Sequence, residues 1–291
     1  MARPYFSVLL PTHNRADVLE LAIRSVLAQT FEDFELLVVG DGCTDNSADV
    51  VSGFGDPRIR WFDLPKAPGF GYRNRNIALD QSDSELVAFL GHDNLFLPDH
   101  LEQLARPFRN SRTQFAYSRP LWVDDSGLVV PFFVNIGMGP SYRRFMQERN
   151  VLPASCIVHR RACLGKSGGW PEDVERSGDW QLWKRILADH MPGALGLVRV
   201  PTCLHFRANW RDPGAWAPPP FGCLRAVAES GGYWPGDLRL ELQKGTDTPQ
   251  HQVWRRLSEN PDQFAGSLRR GTVQAQELLA WNAGLDPSFA R

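Results

Sequence analysis

Two acids stand out by what precedes them. Asp41 closes the run Val38-Val39-Gly40-Asp41-Gly42, and Asp93 closes Val87-Ala88-Phe89-Leu90-Gly91-His92-Asp93-Asn94. An apolar run that ends in an acid fits a buried parallel strand delivering a carboxylate to the open edge of a sheet, where ligands of α/β proteins bind. A carboxylate there suits a divalent cation, and the cation suits a diphosphate. A third acid, Asp179, opens the amphipathic stretch Ser177-Gly178-Asp179-Trp180-Gln181-Leu182-Trp183. It suits a general base, and it equally suits an acid that complements the helix dipole. Asp41 and Asp93 keep plain alternatives too, as side chains that stabilise the turns they stand in.

The elements that would position these acids alternate. Strands are expected over 5–10, 35–39, 59–63 and 86–90. Between them, helices are expected from the apolar spacing of Leu19, Ile23, Val26 and Leu27, over 46–52 and over 72–79. Asn14 is a candidate helix cap. A further helix is expected from Pro98 to about Phe108, with proline at the first position. This alternation predicts an α/β fold, a mostly parallel sheet flanked by helices. Beyond Phe115 the pattern loosens. Asp124-Asp125-Ser126-Gly127 reads as a hairpin turn, 155–159 as a strand, 179–187 as a helix, and 195–200 and 203–207 as two short strands. The Pro-rich stretch 212–220 reads as a linker, followed by helices over 250–257 and 272–279.

Bulk properties narrow the function classes. The 291 residues are 43% hydrophobic and 22% charged, with a net charge of −1, so no global field draws nucleic acid. No apolar run is long enough to cross a bilayer, and the first residues do not read as a secretory signal. Five scattered cysteines (Cys43, Cys156, Cys163, Cys203, Cys223) fit a reducing cytoplasm better than a disulfide framework. The ten tryptophans fall mostly beyond residue 120.

The ordered motifs resemble family 2 glycosyltransferases, inverting enzymes of the GT-A fold. The resemblance is carried by Ser7-Val8-Leu9-Leu10-Pro11-Thr12-His13-Asn14-Arg15, Ala28-Gln29-Thr30-Phe31-Glu32-Asp33-Phe34-Glu35, Gly40-Asp41-Gly42, Arg73-Asn74, and His92-Asp93-Asn94 with Leu97-Pro98-Asp99-His100-Leu101. The Asp-Asn ending is most similar to the bacterial spore-coat polysaccharide type. The resemblance runs from about residue 7 to 207. It implies a GT-A domain over 1–211, with a nucleotide-sugar half (1–110) and an acceptor half (111–211), then a linker and small helical extension over 212–291.

The resemblance also implies roles. Asp93 would ligate Mg²⁺ or Mn²⁺, with His205 as a further ligand or a structural strand histidine. Asp41 would read the nucleobase, on a pocket floor of Pro11, Thr12 and Asn14. Arg73 would lie near the diphosphate, with Arg75 as its rival, and His92 would reach a ribose hydroxyl or act as a spacer. Asp179 would be the catalytic base, with Glu172, Asp173 and Glu175 as nearby rivals. Gly40, Gly91 and His92 occupy places where the family more often has acids, Gly40 in the base-reading turn and Gly91 and His92 just upstream of the metal-binding position.

The implied partners are a nucleotide diphosphate-sugar donor and a saccharide or lipid-linked acceptor. Trp170, Trp180 and Trp183 are candidate sugar faces. Trp216, Trp234, Trp254 and Trp281, among Arg255, Arg256, Arg269 and Arg270, suit peripheral membrane contact, an oligomer contact or plain packing. Two other classes stay in view. One is a degenerate GT-A module that binds nucleotide or glycan without turnover. The other is a sugar-phosphate nucleotidyltransferase, which lacks its Gly-rich triphosphate loop here.

Overall fold

The structure is a computed structural model, and it describes residues 3–190, 193–206, 225–229, 234–243, 245 and 247–282. Strands β1 (Phe6–Thr12), β2 (Phe34–Asp41), β3 (Ile59–Leu64) and β4 (Leu86–Phe89) alternate with helices α1 (Ala16–Leu27), α2 (Ser47–Ser52) and α3 (Tyr72–Asp80). The four strands are parallel, in the order β3-β2-β1-β4. Residues alternate faces along them. Val8 and Leu10 pack with Leu36, Val38 and the α1 stripe Leu19, Ala22, Ile23 and Val26. Leu9, Leu37 and Val39 face the opposite side with α3 residues. Both faces are covered, which is why these strands read as unbroken apolar runs.

The sheet then turns antiparallel. Strand β8 (Ile157–Arg160) pairs β4 and β6 (Phe115–Val123), and β9 (Leu195–Phe206) runs parallel to β6. The short strands β5 (Leu95–Phe96) and β7 (Val129–Pro131) pair β9 and β6. Because β8 opposes both neighbours, β6 and β9 point the same way as β4. The carboxyl ends of β1, β2, β4 and β9 therefore share one edge. The chain order reverses between β1 and β4, which makes that edge a topological switch point.

Several sequence expectations change in detail. The stretch 195–206 is one strand rather than two. Its pairing with β6 shifts register around Arg119, and this irregularity absorbs Pro201 without ending the strand. Helix α4 (His100–Ala105) starts later than Pro98 and tightens into a 3₁₀ turn, Arg106–Arg109, because Pro107 has no N–H for an α-ladder. The hairpin turn forms between β6 and β7. Asp124 accepts the N–H groups of Ser126 (2.9 Å) and Leu128 (3.1 Å) there. Helices α5 (Gly139–Gln147) and α6 (Cys163–Ser167) have no counterpart in the pattern reading. The expected helix 179–187 is α7 (Gly178–His190).

The C-terminal helices are longer than their apolar cores implied. Helix α8 spans Pro249–Glu259, with Thr248 capping His251 N and proline in the first turn, and α9 spans Pro261–Asn282. Val253, Leu257, Ala265 and Leu268 join Leu95, Leu121, Leu204 and Phe206 in a third core cluster beside β5, β6 and β9. Arg269 donates to Asp99 (2.6 Å) and Arg119 to Gln276 (2.7 Å), across the same boundary. The expected linker 212–220, with Trp216, lies outside the described residues. Among the described residues, no helix is long and apolar enough to cross a membrane.

Candidate active site

Asp41 ends β2 at the shared edge and is 5% exposed. Its Oδ1 accepts from Ala67 N (2.8 Å) and Asn74 Nδ2 (2.8 Å), and its Oδ2 accepts from Lys66 Nζ (2.6 Å). Lys66 also donates to Ala67 O (2.8 Å) and Gly69 O (3.2 Å). The carboxylate thus organises the loop between β3 and α3. A Cβ at Gly71 would meet the Asp41 carboxylate at 2.7 Å, so glycine lets the loop close over it. Among the described residues, Asp41 has one oxygen lightly loaded, on the side of the half-exposed Lys66.

Pro11 and Thr12 end β1 beside Val39 and Gly40. Thr12 is 2% exposed, and no hydrogen bond reaches its hydroxyl among the described residues. Asn14 has φ +51° and accepts Thr44 N at 2.7 Å, which joins the β1–α1 turn to the β2–α2 turn. It does not cap α1. The free N–H of Ala16 is met instead by Asp45 Oδ2 at 2.9 Å, from the neighbouring turn.

Asp93 stands in a tight turn after β4. Gly91 N donates to Ser155 Oγ (3.0 Å), Asn94 Nδ2 donates to the same oxygen (2.8 Å), and Phe206 N donates to Asn94 Oδ1 (3.2 Å). Gln250 on α8 donates to the Asp93 carbonyl at 3.4 Å. The turn is held from three sides, and its carboxylate receives no hydrogen bond among the described residues. His92 beside it is buried. His205 lies on β9 at the same edge, with its ring edge-on to Trp122 at 4.3 Å between centroids. Among the described residues no three His, Cys, Asp or Glu side chains gather into a metal-binding cluster.

Asp179 sits in the first turn of α7, after Ser177, whose φ is +61°. Gly178 N donates to Tyr72 Oη at 3.0 Å, which fixes this end of α7 against α3. Asp179 Oδ1 accepts from Arg75 Nη1 (2.7 Å) and from Trp170 Nε1 (2.6 Å). Arg75 is thereby an ion-pair partner of Asp179, while Arg73 is exposed on α3. Of the rival acids, Glu172 accepts from Asn76 at 3.0 Å. Trp170 and Trp183 are 2% and 1% exposed, so they are core side chains and offer no face to a sugar. Trp180 is half-buried, with Lys184 Nζ 4.2 Å above its ring.

The structure thus gathers two groups at one edge. One links Asp41, Asn74, Arg75, Trp170 and Asp179. The other links Asp93, Asn94, Ser155 and the end of β9. The site so gathered holds one carboxylate at a strand end, one in the turn after a strand and one at a helix start. A family model for glycosyl transferase family 2 matches residues 7–162. The chain belongs to glycosyl transferase family 2.

Over 189 residues this glycosyltransferase is 29% identical to the Escherichia coli UDP-Glc:alpha-D-GlcNAc-diphosphoundecaprenol beta-1,3-glucosyltransferase WfgD, a match covering 65% of this chain and 72% of WfgD. The chain spans under two thirds of the length of several curated relatives it matches, including 27% of a Rickettsia bellii glycosyltransferase that is 26% identical over 193 residues. The solved structure of S. aureus TarS 1-349 in complex with UDP-GlcNAc covers 94% of this chain and 79% of its own, with a TM-score of 0.58 and 18% identity. That likeness shows the fold, a mixed α/β GT-A architecture.

Proposed function

We propose that this glycosyltransferase moves a sugar, with inversion, from a nucleotide diphosphate donor to a hydroxyl of a saccharide or lipid-linked glycan. The observation that carries the reading is Asp179. Its Oδ1 is held by two donors, while its Oδ2 accepts no hydrogen bond among the described residues. A carboxylate so arranged can take a proton from an acceptor hydroxyl. The oxygen of that hydroxyl then forms a bond to the anomeric carbon as the bond to the diphosphate breaks on the opposite face.

Asp93 is the residue that would hold Mg²⁺ or Mn²⁺. The fit rests on its half-buried carboxylate at the switch point, which receives no hydrogen bond among the described residues, and on the modest protein share of such ions, one or two carboxylates plus phosphate oxygens. The ion, when bound, would stabilise the negative charge of the leaving diphosphate. Asp41 with Pro11, Thr12 and Asn14 would form the nucleotide floor, with Asp41 reading the base. His92 would face the ribose and Arg73 the diphosphate, and His205 would be an auxiliary ligand. A cytoplasmic enzyme taking lipid-linked acceptors at a membrane face would fit this reading, since the E. coli relative is named for such an acceptor.

The test is a panel of UDP-, GDP-, CDP- and dTDP-sugars with GlcNAc-diphosphoundecaprenol as acceptor and Mn²⁺ present. We expect one donor class to be turned over, Asp179→Asn to abolish transfer while still binding the nucleotide, and Asp93→Asn to weaken metal-dependent binding. A normally active Asp179→Asn enzyme would remove the base assignment. Nucleotide binding without turnover of any donor would favour the degenerate binding module.

A further inference from the structure

We propose that Arg75 and Trp170 are positioning residues that fix Asp179 through one oxygen, so that Oδ2 alone receives the acceptor proton. The proposal rests on the reading of Asp179 as the base. A lone carboxylate at a helix start rotates about two side-chain bonds, and a rotating base spends most of its time misaligned. Here two donors from separate elements converge on the same oxygen, Arg75 from α3 at 2.7 Å and Trp170 from the loop before α7 at 2.6 Å.

Both donors are themselves fixed. The Arg75 guanidinium lies 4.8 Å from the Tyr72 ring centroid and 5.0 Å from that of Phe89, and its Nη2 donates to Phe70 O at 2.9 Å. Its side chain is 7% exposed. Trp170 is wedged between Phe89 and Trp183, with ring centroids 6.3 and 5.9 Å away. Asn76 clamps its backbone on both sides, accepting Trp170 N at 2.8 Å and donating to Trp170 O at 2.9 Å. The result is an orienter–base pair, in which one carboxylate oxygen is occupied and the other stands ready. In the step itself, the acceptor O–H proton goes to Oδ2. The acceptor oxygen bonds to the anomeric carbon, and the electron pair of the broken C–O bond leaves with the diphosphate.

Trp170→Phe is the informative variant, because it removes the indole N–H and keeps an aromatic ring in the core. With the best donor of the panel, we expect kcat to fall about tenfold. The donor KM, the calorimetric Kd for the matching nucleoside diphosphate and the melting temperature should stay close to wild type. Arg75→Lys, which keeps a cation but loses the second arm to Phe70, should lose less activity than Arg75→Met. Trp170→Phe at wild-type kcat, with Asp179→Asn inactive, would overturn the positioning role and leave the base assignment standing. An active Asp179→Asn enzyme would instead remove the base beneath it. A fall in kcat matched by weaker diphosphate binding or a lower melting temperature would make the two residues structural. A rise in donor KM as the main effect of Arg75→Lys would make Arg75 a diphosphate ligand and overturn its positioning role.

Discussion

Each acid of the site has a glycine beside or near it, and each glycine has a steric reason. A Cβ at Gly40 would crowd the Trp61 ring, with Cζ2 at 2.8 Å. A Cβ at Gly91 would meet Asn94 Nδ2 at 2.8 Å and Asp93 Oδ1 at 3.1 Å. A Cβ at Gly178 would meet the Tyr72 ring at 2.6 Å. The departures from the family's usual acids at positions 40 and 91 are therefore built into the packing: Trp61 and the Asn94 turn occupy the space an acid would need. Gly178→Ala should lower unfolding free energy by about 1–3 kcal/mol, the usual range for overpacking. Urea denaturation of the two proteins measures it. An unchanged midpoint would mean that the Tyr72 ring moves aside at no cost.

The C-terminal helices supply the decisive element-level contact. Leu257 on α8 is 3% exposed in the cluster that also holds Leu204 and Phe206, the end of β9. Gln250, two helix turns earlier, is buried and reaches the Asp93 carbonyl. Helix α8 thus covers the sheet margin and braces the Asp93 turn together. Leu257→Ala should cost about 2–5 kcal/mol, as deep leucine truncations do. It should lower the melting temperature of the whole sheet rather than melt α8 alone. Circular dichroism at a strand-sensitive wavelength, followed alongside tryptophan fluorescence, distinguishes these outcomes. A sheet transition left in place would make the helices an independent appendage.

At the scale of the whole molecule, two fully buried histidines contribute to acid sensitivity. Burial pushes His100 down to about 3 and His159 down to about 4. His100 lies stacked on Phe96, with Nδ1 at 2.8 Å from Thr202 Oγ1. In the unfolded chain both rings titrate near the ordinary value of about 6.5. Below that pH the unfolded state binds more protons than the native state, so stability falls as pH falls toward 4. Each histidine contributes a slope approaching about 1.4 kcal/mol per pH unit in that window. Urea unfolding at pH 7, 6 and 5 should show the midpoint dropping at an accelerating rate. A flat profile would mean that these rings are protonated in the native state.

The fold was largely legible because its signals are local. An apolar run buried on both faces reads the same wherever it stands, and the spacing of Leu19, Ile23 and Val26 marks a helix by itself. The shorter elements were not legible, because β5 and β7 are only two and three residues long and are held by partners distant in sequence. The placement of Asp41 at the end of its strand and of Asp93 in the turn just beyond its own was also local, since an acid that follows a buried apolar run emerges where the strand leaves the sheet. What each acid touches was not. Arg75 and Asp179 are 104 residues apart, and Asn94 and Phe206 are 112 apart. Nothing in the residues around Arg75 separates it from Arg73. Only the packing of α3 against α7 turns one guanidinium inward to Asp179 and leaves the other in solvent. The sequence by itself determined which residues could carry charge to the edge; the tertiary structure decided their partners, because a hydrogen bond depends on distances that chain order does not contain.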